Sequence, residues 1–430
     1  MGGGGGAVRE APFFARGGMI GGGGITAGTG SEDSGIERAS IRVVLHSFCN
    51  RRLPRTITLR GDSAPVRAPP PGSRRWRIPS GGAVCVIIRM AQPRALGGKG
   101  MGVCCLGLGL TQAWLWLVFL SGPLLSGLPD AWGSASRLSF TFLAFHALTF
   151  GLLASRTPPI RPAALARGSA AAMTAATAVL ALPPPLVSVV SAPGRIALAA
   201  AGVAAVGGAV QVVLWGVFYS TLSGNRPIVY YAGSVVVGTI AQFAGAAIPH
   251  PFSMVVAALL PLASAGCLIR VLEPPAARGV ESTPDRQAVS RALFPIRPGL
   301  AFLVVLVYLV GGLMHRTIYT EGAPFGSAYW ITSVLYGVAA GAVGMASRVW
   351  AGLDLRHIGR PALSALGLGF LLFPACHAQF PAVPYAMFQL GFAMLDMYTW
   401  VSFAGTAASH ESPARAVASG LALLTGSILV

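Results

Sequence analysis

Acidic residues are scarce in this chain. Its 430 residues hold 13 Asp and Glu against 31 Lys and Arg, and charged residues make up only 10% of the total. A soluble domain carries charge on roughly a quarter of its residues, so this chain cannot cover a folded surface in water. A lipid surround removes that requirement, because the outside of the protein is then apolar. Lysine is almost missing: Lys99 is the single one, and every other basic residue is arginine. That skew reads as a GC-rich coding bias with no functional content.

Chemical motifs are lacking as well. None of the six cysteines (Cys49, Cys85, Cys104, Cys105, Cys267, Cys376) forms a CxxC pair or a Cys/His metal spacing, which argues against a zinc site. The last four fall in or near apolar runs and read as small buried hydrophobes. No phosphate loop and no nucleophile–base signature appears. The expectation is therefore no enzyme and no cofactor. The net charge of +18 would suit a nucleic acid, but its distribution does not. Fifteen basic residues precede Gly100 and the rest sit mostly in short loops, so no nucleic-acid partner is expected in this region.

What the chain does have is apolar length. Residues 1–100 differ from the rest, with Gly runs, Pro69 to Pro71 and clustered arginines. That composition predicts a disordered arm. It is no signal peptide, and an alternative reading starts translation at Met90 or Met101. From Val103 the pattern alternates apolar runs with polar breaks. A span of about 30 Å takes about 20 residues at 1.5 Å each. The runs predict helices over Val103–Leu125, Leu138–Ala154, Gly168–Ala192, Ile196–Tyr219, Ile228–Ile248, Phe252–Leu272, Gly299–Tyr319, Ala328–Ala346, Ala362–Cys376 and Tyr385–Ala407. An eleventh starts at Ala416 and is still running at Val430. The longest break, 273–298, is arginine- and proline-rich and divides the helices into 101–272 and 299–430.

With the N-terminus in the cytoplasm, thirteen loop and flank arginines fall on the inner side. Three (Arg137, Arg195, Arg316) fall on or near the outer side. This bias predicts a multi-pass protein of the cytoplasmic membrane. The expected fold class is all-α: a polytopic transmembrane helix bundle of two six-helix halves. It is C-terminally incomplete at Val430, because the second half would need the rest of helix eleven and a twelfth.

This layout resembles the major facilitator superfamily. The resemblance rests on the six-plus-six arrangement, the linker, and the loop after helix eight. That loop runs from Arg348 to Pro361 and contains Asp354, Arg356, Gly359 and Arg360. It is similar to the family's cytoplasmic gate motif, with two more residues between Asp354 and Gly359. The matching first-half loop, Ser155 to Arg167, has no Asp. The resemblance implies a secondary transporter that moves a small solute by alternating access, with proton or cation coupling. A subset of proteins of this shape carries a LuxR-type helix-turn-helix domain. Loose similarity to that subset supports a second reading, a membrane-bound ligand sensor whose DNA-binding domain lies beyond Val430. Transcript sequence past that codon separates the two.

Polar residues inside the apolar runs are the site candidates. Asp396, near the middle of helix ten, is either a coupling or solute-binding carboxylate or a hydrogen-bonded packing residue; a charge there costs about 2.5–3.5 kcal/mol on insertion scales. His146 is either a proton relay or a packing histidine. Gln211 and Gln389, with Gln112 and Gln242, either bridge helices or line the solute route. Arg316 either binds an anion or pairs with Glu321, or else snorkels to headgroups. Gly337, Gly341 and Gly344 allow close helix approach. Trp114, Trp116, Tyr230, Tyr231, Trp330 and Trp350 are expected mostly near span ends, as interface belts.

Overall fold

Proline sets where many of the helices begin. It occupies one of the first two positions of five helices, as Pro162, Pro193, Pro227, Pro298 and Pro413. There its missing N–H costs nothing and its fixed φ suits the helix. The computed structural model describes residues 98–120, 124, 134–155, 161–182, 186, 192–272, 295–320, 327–350, 353–376, 379–380 and 382–429. The side chains of 98–99, 120, 314–320 and 327–332 lie outside that description. So do the N-terminal arm to residue 97, Pro183 to Pro185, most of the linker (273–294) and Glu321.

The helices are α1 (Gly98–Leu115), α2 (Ala135–Ser155), α3 (Pro162–Leu180), α4 (Pro193–Tyr219), α5 (Arg226–Ala247) and α6 (Phe252–Leu272). They continue as α7 (Pro298–Thr320), α8 (Ser327–Val349), α9 (Arg356–Cys376), α10 (Ala382–Ala408) and α11 (Pro413–Leu429). A π-helical turn, Trp116–Leu120, extends α1. Seven of these helices, α1 (counted with that turn) to α6 and α9, are long and apolar enough to cross a membrane. Three shorter apolar stretches lie in α7, α8 and α11. The largest differences from the sequence expectation fall at the third and ninth helices. The third helix runs 162–180 instead of 168–192, because Pro162 starts it earlier. The ninth gains a turn and a half at its start and reaches 21 residues. Apolar side chains such as Phe252 (68% exposed) and Leu371 (74% exposed) stand on the outside, which suits lipid and not water.

The helix pairings repeat. In the first six helices α1 packs on α5, α3 on α4, and α2 on α4; in the last five α7 packs on α11, α9 on α10, and α8 on α10. Adding six to each helix number turns the first set into the second. Between the two groups, α2 packs on α11 and α5 on α8, a pair of contacts that the same exchange interconverts. The closest crossings repeat too. A methyl on Gly109 of α1 would lie 2.7 Å from the Ser234 carbonyl oxygen of α5, and one on Gly312 of α7 would lie 2.7 Å from the Ile428 carbonyl oxygen of α11. Likewise Gly207 of α4 meets the Ser169 carbonyl of α3 at 2.7 Å, and Gly391 of α10 meets the Leu366 amide nitrogen of α9 at 2.9 Å. Such backbone-to-backbone approach needs glycine, and van der Waals packing between small residues drives association in lipid. Gly207→Leu is expected to destabilise the purified chain by about 1–3 kcal/mol or more. Its denaturation midpoint in detergent checks this, and an unchanged midpoint would count against the crossing.

At one helix-interior proline a neighbouring helix donates to a carbonyl close to the break. Pro261 inside α6 has no N–H, and the Thr174 hydroxyl of α3 donates to the nearby Ala258 carbonyl at 2.7 Å. Lipid offers no water for such groups, so a neighbouring helix must do this.

Candidate functional site

Asp396 sits mid-way along α10, in a turn whose neighbours Leu395 and Met397 are fully buried. Both its carboxylate oxygens accept hydrogen bonds: Oδ1 from the Tyr308 hydroxyl of α7, and Oδ2 from the Tyr336 hydroxyl of α8. Three helices of the second group thus converge on one carboxylate. Bonds to a charged acceptor are about twice as strong as neutral ones.

Aromatic rings from the first group complete the surroundings. The π-helical turn begins at Trp116, whose ring meets Tyr336 edge-on at 5.7 Å. Wider π turns are frequent at functional sites because they re-aim side chains. A methyl on Gly238 of α5 would lie 3.1 Å from the Trp116 ring, so this glycine leaves room for the indole. Trp400, one helical turn after Asp396, stacks on Tyr231 of α5 at 5.3 Å and 21° and meets Tyr219 of α4 edge-on at 6.1 Å. Tyr231 lies within electrostatic reach of Asp396.

Several buried polar atoms around this cluster have no hydrogen-bond partner: Gln112 Oε1, Thr399 Oγ1 and Trp400 Nε1. Gln112 neighbours Tyr231, and Thr399 approaches Tyr308 without meeting hydrogen-bond geometry. Buried polar atoms are nearly always satisfied, so their clustering here marks a place that a polar guest completes. Asp396, Tyr336 and Trp116 are only half-buried, so the cluster is not sealed.

No protein-family profile matches the chain, and no curated protein matches it in sequence. Solved structures do match its shape. The human organic anion transporter MFSD10 (TETRAN) superposes with a TM-score of 0.53 at 16% identity, over 77% of this chain and 90% of that one. A bacterial homologue of the iron transporter ferroportin, in an outward-facing state, gives 0.50 at 12% identity over 77% and 89%. The chain shares the helical fold of these two structures. It is a multi-pass helical membrane protein.

The bundle distributes the other sequence-selected residues widely. His146 of α2 packs between Phe142 (4.9 Å) and Phe150 (4.5 Å), with Gly208 of α4 against its ring. Its Nδ1 has no hydrogen-bond partner, and these contacts all stay within the first six helices. Gln211 of α4 donates to Thr111 Oγ1 of α1 at 3.2 Å and to the Pro261 carbonyl of α6 at 3.3 Å. Ser264 joins that network, bonded to Thr111 (2.7 Å), to the Gly107 carbonyl (2.6 Å) and to the Trp215 indole (3.1 Å). This arrangement ties α1, α4 and α6 together. Gln211→Leu is expected to cost about 0.6–1.7 kcal/mol of stability and to change solute binding less. A loss of binding without a loss of stability would move Gln211 into the solute route.

Gln389 is half-buried on the Asp396 face of α10, seven residues and therefore two turns earlier. Arg316 lies in α7 with its side chain outside the described residues. In the gate loop Arg356 and Asp354 form an exposed ion pair at 3.8 Å, of a kind worth about 0–1 kcal/mol. Arg360 is exposed, while Gly359 is buried where a methyl would meet the Tyr398 ring of α10 at 3.1 Å. Trp114, expected at a span end, is instead fully buried and bonded to Thr177 Oγ1 at 3.0 Å; Tyr230 and Tyr231 are buried too.

Sequence reasoning missed Tyr308 and Tyr336. A tyrosine in an apolar run looks like a belt or packing residue, and nothing local marks it as the partner of an acid 60 or 88 residues away.

Proposed function

We propose that this chain is a secondary active transporter that moves a small solute across the cytoplasmic membrane by alternating access, with Asp396 at the solute or coupling site. The observation that carries the reading is one half-buried intramembrane carboxylate, held by Tyr308 and Tyr336, with the first-group aromatic Trp116 against Tyr336 and Tyr231 within electrostatic reach. An intramembrane acid at the seam between two repeat-related bundles is where solute and ion sites form in such folds. The solved neighbours of the fold are themselves transporters by title. The arginine bias favours a cytoplasmic N-terminus.

In that orientation the inner ends of the two groups are joined. The Asn225 side chain of the α4–α5 turn donates to the Ser347 carbonyl of α8 at 3.1 Å, and Val417 of α11 packs on Gly216 of α4. The Tyr219–Tyr231–Trp400 stack closes the seam on the inner side of Asp396. This arrangement fits a state closed to the cytoplasm.

The test is flux. Proteoliposomes holding the full chain are given radiolabelled amines, carboxylates and sugars, with and without a proton gradient. Gradient-dependent accumulation of any of them supports the reading. Solute binding with no flux of any class overturns it in favour of a sensor.

A further inference from the structure

The Asp396 cluster has a chemical polarity that selects among solutes. Among the described side chains, the groups that face the carboxylate are hydroxyls and aromatic rings, with no cation. The arginines of the helices whose side chains are described all lie within the first or last two turns: Arg137, Arg167, Arg195, Arg226, Arg270, Arg348, Arg356, Arg360 and Arg415. Among the described side chains nothing neutralises this carboxylate, and a cation brought by a guest would do so. A proton alone would supply the charge but would leave the rest of the site unexplained.

The rest of the site is specific. Tyr336, bonded to the acid, meets Trp116, and Trp400, one turn along α10 from the acid, stacks on Tyr231; ring faces attract cations, tryptophan most of all. Gln112, on the first-group side of the seam beside the Tyr231 hydroxyl, keeps a buried Oε1 that no donor meets in good hydrogen-bond geometry. A guest that completes both sides therefore brings N–H donors, positive charge and an apolar body.

Resting on the reading of this cluster as the solute site, we propose that the solute is a protonated organic amine. Its ammonium group sits between Asp396 and Gln112, and its apolar body lies among the rings of Trp116, Tyr336, Tyr231 and Trp400. An anionic solute is disfavoured here, because it would bring like charge to Asp396. What the organic anion transporter carries is therefore not transferred to this chain along with its fold.

Two probes of nearly equal size separate the charges. Binding of 2-phenylethylamine, a cation at pH 7, and of 3-phenylpropionate, an anion, is measured on the detergent-purified full chain by calorimetry and by quenching of tryptophan fluorescence. The amine is expected to bind and the carboxylate to bind at least ten-fold more weakly. Asp396→Asn should weaken the amine roughly ten-fold or more, the usual worth of a bond to a charged group. Trp116→Leu should weaken it about five-fold. Equal binding of the two probes, binding of neither, or amine binding indifferent to Asp396→Asn overturns the proposal. If the asparagine variant fails to fold, the parent's preference and Trp116→Leu decide. Amine binding without flux leaves the ligand class standing and removes the transporter reading, whereas carboxylate flux without amine binding does the reverse.

Discussion

Asp396→Asn is expected to lower uptake by the reconstituted chain roughly 10- to 150-fold while leaving the folded fraction close to that of the parent. The range follows from the 1.5–3 kcal/mol that a hydrogen bond to a charged group contributes. The fold survives for two reasons. Asparagine has nearly the shape of aspartate, and the Tyr308 and Tyr336 hydroxyls that donate to the carboxylate can rotate to accept from an amide instead. Removing a buried charge also removes its desolvation cost, so the denaturation midpoint should hold or rise. Initial uptake rates and the midpoint, measured on the same preparation, separate the two effects. Unchanged uptake would take Asp396 out of the mechanism. Lost uptake with a collapsed midpoint would make it a packing residue.

Gly344→Leu should stop the transport cycle through a different route. In the seam between α5 and α8, Gly337 faces Thr239, Gly341 faces Val236 and Gly344 faces Ala232. A methyl on Gly344 would lie 2.5 Å from the Ala232 Cβ, so a leucine cannot enter without parting the helices. Overpacking costs about 1–3 kcal/mol. On the proposed alternating-access cycle that cost falls on the conformation with α5 and α8 closed and shifts its population about 5- to 150-fold. Alternating access needs both conformations, so uptake should fall by a similar factor while solute binding at the Asp396 cluster persists. Labelling of a cysteine placed at Ser347, at the C-terminal end of α8 in this seam, should rise in the leucine variant. Labelling and uptake equal to the parent's would show that this seam does not move.

The fold was largely legible because the bilayer imposes a length. Apolar runs near twenty residues and alternating arginines located every helix that the structure describes. The errors came where proline acts. Pro162 starts α3 early, and hydropathy alone extended that helix beyond Leu180. Asp396 was legible because a lone acid in an apolar run has no cheap explanation. Its setting was not. Tyr308 and Tyr336 are brought to it by tertiary packing, and sequence spacing carries no trace of that. Trp114 and Tyr231 read as interface residues because aromatic character alone does not distinguish headgroup contact from burial. His146 and Gln211 were selected for being polar among apolar neighbours, a property shared by solute contacts and by helix-bridging groups. The structure places them in an aromatic stack and in a three-helix hydrogen-bond network.

The repeated glycine crossings have a consequence for how such a chain can be made. All four of the tightest backbone approaches, at Gly109, Gly207, Gly312 and Gly391, join helices on the same side of the central linker. None depends on a covalent connection between the first six helices and the last five. If each group holds its own shape on these contacts, a cut in the peptide between them should be tolerated. Two separately translated fragments, cut within that peptide and inserted into one membrane, would have the same surfaces with which to find each other.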